Sequence, residues 1–162
     1  MNPLVLLAIA GGAALITSLI RKAKAANNLK YDLKKIQIYK LTVSDLILRV
    51  WIDFTNLENT QLVVQQIYLD IYLDFGTAEK PDIQRIGTLN TNAEIIIPAL
   101  QTVSKSFDIT VSYFNLLGTA LQMFKSKFTG GAVNFPKKAT VKGQIKALGV
   151  TIPINYEVPF EG

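Results

Sequence analysis

A chain of 162 residues holds about one domain, and its content of 49% hydrophobic and 18% charged residues excludes a disordered protein. With neither cysteine nor histidine, it has no disulfide framework, no usual zinc site, and no means of Ser-His-Asp or Cys-His hydrolysis. The net charge of +5 is local: Arg21, Lys22, Lys24, Lys30, Lys34, Lys35 and Lys40 crowd a stretch whose one acid is Asp32, so the rest of the chain is nearly neutral and nucleic acid is not the expected partner.

Pro3 to Ile20 carries no charge and is built on Leu4, Leu6, Leu7, Ile9, Leu15, Ile16, Leu19 and Ile20. As a helix these positions extend ~27 Å, at the short end of what crosses a hydrocarbon core. The basic residues follow the apolar run rather than precede it, which favours a retained membrane helix over a signal peptide cleaved near Ala23-Lys24-Ala25. An apolar helix buried in a protein assembly is the remaining reading. If the segment spans, Arg21, Lys22 and Lys24 place the following domain on the cytoplasmic side. The expected organisation is an anchor over 1–24, a basic linker over 25–33 and one domain over 34–162.

From Lys34 the period becomes two, with Lys34, Ile36 and Ile38 opposite Lys35, Gln37 and Tyr39. A second strand sets Leu48, Val50, Ile52 and Phe54 inward against Arg49, Trp51 and Asp53, and a turn follows at Asn56, Glu58 and Asn59. The longest alternation sets Ile67, Leu69, Ile71, Leu73 and Phe75 against Tyr68, Asp70, Tyr72 and Asp74. Shorter strands cover about 83–89 and 94–97, and then Phe107, Ile109 and Val111 face inward. Tyr113, Leu116, Leu117, Ala120, Leu121 and Phe124 have helical spacing and predict about three turns. A terminal hairpin runs through Ala139, Val141, Gly143, Ile145 and Ala147, turns at Gly149, and returns through Val150, Ile152, Ile154, Tyr156 and Val158. Strands without βαβ alternation predict a mainly β fold, an antiparallel fibronectin- or immunoglobulin-like sandwich with one short helix.

Over Lys34 to Phe160 this order of features resembles the group-2 late embryogenesis abundant family, also called the water-stress and hypersensitive-response domain. The resemblance rests on the strand Leu48 to Phe54, the turn Thr55-Asn56-Leu57-Glu58-Asn59, and the strand Ile67 to Phe75. It continues through the edge Ile97-Pro98-Ala99-Leu100-Gln101-Thr102, the helix, and Ala139 to Phe160. The family's usual Asn-Pro-Asn turn stands here without its proline. The resemblance implies a non-catalytic sandwich with a protective, membrane-associated or structural role.

Asp70 and Asp74 share a strand face but lie ~13 Å apart, too far for a shared-proton dyad. Lys138, Lys142 and Lys146 fall on one face with Thr140 and Gln144, as a stripe for phosphates or headgroups or, more plainly, a solvated face or protected edge. Trp51, facing outward with Tyr68 and Tyr72, is a candidate exposed interaction patch; burial of Trp51 under the helix is the alternative. Arg21, Lys22, Lys24, Lys30, Lys34 and Lys35 are candidates for holding anionic lipid or setting topology.

The expectation is a non-enzymatic, membrane-anchored structural or interaction protein. The alternative is a component of a larger assembly, such as a lipid-containing virion or a tail or secretion complex. Its partners are membrane lipid and other protein subunits, copies of itself included, with no cofactor, metal or small-molecule substrate.

Overall fold

A computed structural model describes residues 28–92 and 94–162. The expected anchor over 1–24, with Arg21, Lys22 and Lys24, lies outside them. No helix among the described residues is long and apolar enough to cross a membrane.

The described residues form eight strands: β1 (Leu29–Leu41), β2 (Asp45–Asn56), β3 (Leu62–Asp74), β4 (Ile83–Thr91), β5 (Ile95–Ile97), β6 (Thr102–Ser112), β7 (Lys138–Ala147) and β8 (Val150–Glu161). Alternation builds them. In β2, Leu46, Leu48, Val50, Ile52 and Phe54 are fully buried, each worth about 1.5–3 kcal/mol of apolar burial. β3 answers with Leu62, Val64, Ile67, Leu69, Ile71 and Leu73 across one continuous core.

Hydrogen bonding orders the strands β4-β3-β7-β8-β1-β2-β6, with β5 added on β3. Every pairing is antiparallel except a short parallel contact of β1 with β8, at Ile36–Phe160 and Gln37–Glu161. The path curls until its two end strands face each other. A Cβ placed on Gly87 of β4 would stand 3.1 Å from Val111 Cγ2 and 3.3 Å from Ile109 Cγ2 of β6. The expected mainly β fold with one helix is present; its β1-β2-β6 and β4-β3-β7-β8 parts join through the short β1–β8 contact into a nearly closed, barrel-like sheet that is not clearly a sandwich.

Bulges supply part of that curl, because an extra residue bends its strand and increases local twist. Lys34 and Tyr39 are extra in β1, Gln65 in β3 and Ile86 in β4. The extra residues at Lys34, Gln65 and Ile86 shift the inward set, so buried residues stand three apart at Leu33 and Ile36, Val64 and Ile67, and Ile86 and Leu89. Lys34, expected beside Ile36, is therefore exposed. Residues 29–33, read as linker, are the first part of β1, with Leu29 and Leu33 in the core.

The predicted single helix from Tyr113 is divided. Tyr113–Asn115 is a 3-10 turn whose Phe114 N–H donates to Ser112 Oγ at 3.4 Å, and α1 (Gly118–Phe128) begins after Leu116 and Leu117 adopt extended backbone. Gly118, with φ +48°, makes the break possible at little cost. Of the predicted stripe, Tyr113, Leu116, Ala120 and Phe124 are buried and Leu121 is half-buried, but Leu117, in the extended break, is exposed. Phe124 meets Phe75 and Phe135 at centroid distances of 6.4 and 4.9 Å, and Phe135 meets Phe160 at 6.1 Å, closing one end of the sheet.

That helix end also holds the β1–β2 turn and the exit of β6. Asn28, the β2–β3 turn and β5 lie at the opposite end, ~40 Å away along β1.

Candidate interaction surfaces

Trp51, Tyr68 and Tyr72 do not form one patch. Trp51 projects from β2 on the outer face of β1-β2-β6, whereas the two tyrosines project from β3 on the outer face of β4-β3-β7-β8. Nor does α1 cover Trp51. It is half-buried among charged neighbours, with Lys35 Nζ 4.9 Å and Arg49 Cζ 6.0 Å from its ring centroid.

Arg49 organises that face. Its Nε and Nη2 donate to the two carboxylate oxygens of Asp108 at 2.6 and 2.8 Å, and its Cζ lies 3.4 Å from the Tyr39 ring centroid. The bulge in β1 is what brings Tyr39 there. The guanidinium holds Asp108 below the usual carboxylate range, and the paired carboxylate raises the pKa of Arg49. Lys35 pairs with Glu161 at 2.8 Å, and Lys34 pairs with Asp32 at 2.5 Å and Asp53 at 3.4 Å. Two of the cations offered for anionic lipid or topology thus also carry ion pairs with the sheet, while Lys30 stands exposed on β1.

On the opposite face, the residues offered for chemistry are committed elsewhere. Asp70 accepts from Thr88 Oγ1 at 2.6 Å and from the Tyr68 hydroxyl at 3.0 Å, with Arg85 Nη1 at 3.5 Å. That bond to Asp70 raises the pKa of Tyr68. Asp74 Oδ1 accepts from the backbone N–H groups of Gly76 and Asp82, fixing the β3–β4 turn. Lys138, Lys142 and Lys146 lie on β7, an interior strand between β3 and β8, so the protected-edge reading is excluded. Lys138 pairs with Glu157 at 3.1 Å and Lys142 Nζ lies 5.6 Å from the Tyr72 ring centroid.

The helix end presents a different surface. Val43 is 83% exposed, Phe114 92% and Leu117 73%, the first on the β1–β2 turn and the others between β6 and α1. The presenting backbone is tied down. Thr42 Oγ1 donates to the Asp45 carbonyl and accepts from the Asp45 N–H, both at 2.9 Å, and Tyr113 N–H donates to the Ser44 carbonyl at 3.0 Å. Between these elements lies a cleft of about 510 Å³, with Leu116 and Leu121 in its wall and Lys125 on its lining.

Periodicity alone did not reveal this surface, because Tyr113, Leu116 and Leu121 satisfy a core-facing pattern. The available signal was the remainder: Phe114 lies off the helical stripe and Val43 stands in a turn.

No family model matches the chain, and no curated protein matches it in sequence. Among solved structures it is similar to a protein from Archaeoglobus fulgidus, at 11% identity over 80% of this chain and 89% of that one, with a TM-score of 0.45. A solution structure from Arabidopsis thaliana is similar at 16% identity over 82% and 79% of the two chains, with a TM-score of 0.42. A sporulation control protein from Bacillus subtilis is similar at 8% identity over 83% and 49%, with a TM-score of 0.40.

Proposed function

We propose that this chain is a non-enzymatic interaction module, tethered to a membrane by its N-terminal apolar segment and binding its partner through the helix end. The observation that carries this reading is the apolar surface of Val43, Phe114 and Leu117, held out by a hydrogen-bonded turn and a capped 3-10 turn. Isolated exposed apolar residues are ordinary, but several presented by tied-down backbone at one end of a fold suit an interaction site. The uncharged run from Pro3 to Ile20, followed by Arg21, Lys22 and Lys24, supports the tether. The resemblance to the group-2 late embryogenesis abundant family supports a non-catalytic role. So does the engagement of Asp53, Asp70, Asp74 and Asp108 in ion pairs and turns.

The same exposed end favours a second reading, a structural subunit of a larger assembly such as a lipid-containing virion or a secretion or tail complex. Fractionation of the native source separates the two. A dispersed membrane population supports the tethered module, and recovery in fixed stoichiometry with a particle supports the structural subunit. Under either reading, replacing Val43, Phe114 and Leu117 together by serine abolishes partner recovery without altering the strand content measured by circular dichroism. Unchanged recovery contradicts the assignment of this surface.

A further inference from the structure

The cleft at the helix end has polar features that a flat protein contact does not need. Tyr113 is 6% exposed, and its buried hydroxyl has no hydrogen-bond partner among the described residues. A buried hydroxyl left unpaired carries a desolvation penalty that a bound acceptor removes. Burial, with the nearby Asp45 carboxylate, raises the pKa of Tyr113, so the group remains a donor at neutral pH. Asp45 is itself engaged, accepting from Ser44 Oγ at 2.5 Å. On the same lining stands Lys125, exposed and in no ion pair among the described residues. Val43, Phe114, Leu116 and Leu121 supply the apolar wall.

We infer that this cleft binds an apolar monocarboxylate, of which a long-chain fatty acid is the simplest. The chain packs against Phe114, Leu116 and Leu121, and the carboxylate accepts from the Tyr113 hydroxyl and faces the Lys125 ammonium. The volume of about 510 Å³ lies within the ~300–1,000 Å³ typical of small-molecule sites. The inference deepens the proposed role of the helix end by naming a ligand class. Sequence reading had expected no small molecule.

The test is photolabelling of the full-length chain in phosphatidylcholine nanodiscs with a dodecanoate carrying a terminal diazirine, the adducts mapped by mass spectrometry. Labelling is expected to saturate at one per chain, map to residues 113–125 or the turn at Val43, and be competed by dodecanoate but not by dodecanol. Tyr113→Phe, which removes one oxygen, and Lys125→Glu, at an exposed position, are each expected to weaken labelling at least fivefold. Lys146→Glu, on an exposed strand face, leaves it unchanged. Labelling spread over the surface, equal competition by dodecanol, or both cleft variants matching the parent overturns the inference. Partner recovery that depends on Val43, Phe114 and Leu117 in a chain that takes no dodecanoate leaves the interaction role standing without this ligand.

Discussion

Asn56 is the one buried polar residue of the described core, and its side chain joins three segments. Its Nδ2 donates to the carbonyls of Thr60 at 2.8 Å, Pro98 at 3.0 Å and Ile97 at 3.2 Å, while its Oδ1 accepts from the Glu58 N–H at 2.8 Å. Truncation leaves buried carbonyls unpaired, so Asn56→Ala is expected to cost about 2–3 kcal/mol in urea unfolding. Asn56→Asp costs more, because it sets a carboxylate against carbonyl oxygens. The sequence identified Asn56 as a turn residue, but the Ile97 and Pro98 carbonyls lie some forty positions away and nothing local announces them. Asp108 gives a pH dependence at the same scale. Its carboxylate is depressed in the fold, so the Arg49 pair contributes fully above about pH 4 and is lost as pH falls through the folded value. Asp108→Asn should therefore be less stable than the parent at pH 7, by a small margin because solvent screens the pair, and the two should converge in acid. A gap that widens in acid contradicts this account.

The strands were legible where alternation ran unbroken, as in β2 and in the Ile67–Leu73 run of β3. They were misread where a bulge intervened. A spacing of three between apolar residues inside a strand, as at Leu33 and Ile36, looks like a fragment of helix or the end of a linker, yet it marks the extra residue that curls the sheet. Barrel-like curl draws on several such bulges acting together, which a strand-by-strand reading does not register. The helix was legible on its inward face except at Leu117, which its division turns outward, and that division depended on the left-handed backbone of Gly118. Gly143 shows how tightly the elements approach. A Cβ there would lie 2.0 Å from the Tyr68 carbonyl oxygen and 2.9 Å from Leu69 Cα, both backbone atoms of β3. Gly143→Ala is expected to destabilise by about 3 kcal/mol or more by separating β3 from β7. Thermal unfolding checks this, and an unchanged midpoint contradicts the close β3–β7 approach.

At the scale of the molecule, the fold has two unlike ends. The described chain starts at Asn28 beside the Asn56 corner, where the Leu57 N–H donates to the Asn28 carbonyl at 3.0 Å. The apolar surface of Val43, Phe114 and Leu117 lies at the other end, ~40 Å along β1. Under the proposed function, a tether preceding Asn28 would leave the helix end free to meet something other than the bilayer. In the sequence Arg21, Lys22 and Lys24 follow the apolar run directly, while Lys34 and Lys35 lie on β1 and form ion pairs with Asp32 and Glu161. An apolar run followed by cations stands out in the sequence, whereas the helix end is obscure in it, because its residues are apolar in a chain already rich in apolar residues. We propose that a self-sufficient β domain is held at a membrane by residues 1–24. Density flotation of the full-length chain beside a chain lacking residues 1–24, each followed by circular dichroism, tests it most directly. The account predicts that the full chain floats with lipid and the shortened chain stays in solution with the same strand signal. A shortened chain that aggregates or unfolds, or that floats as well as the parent, contradicts it.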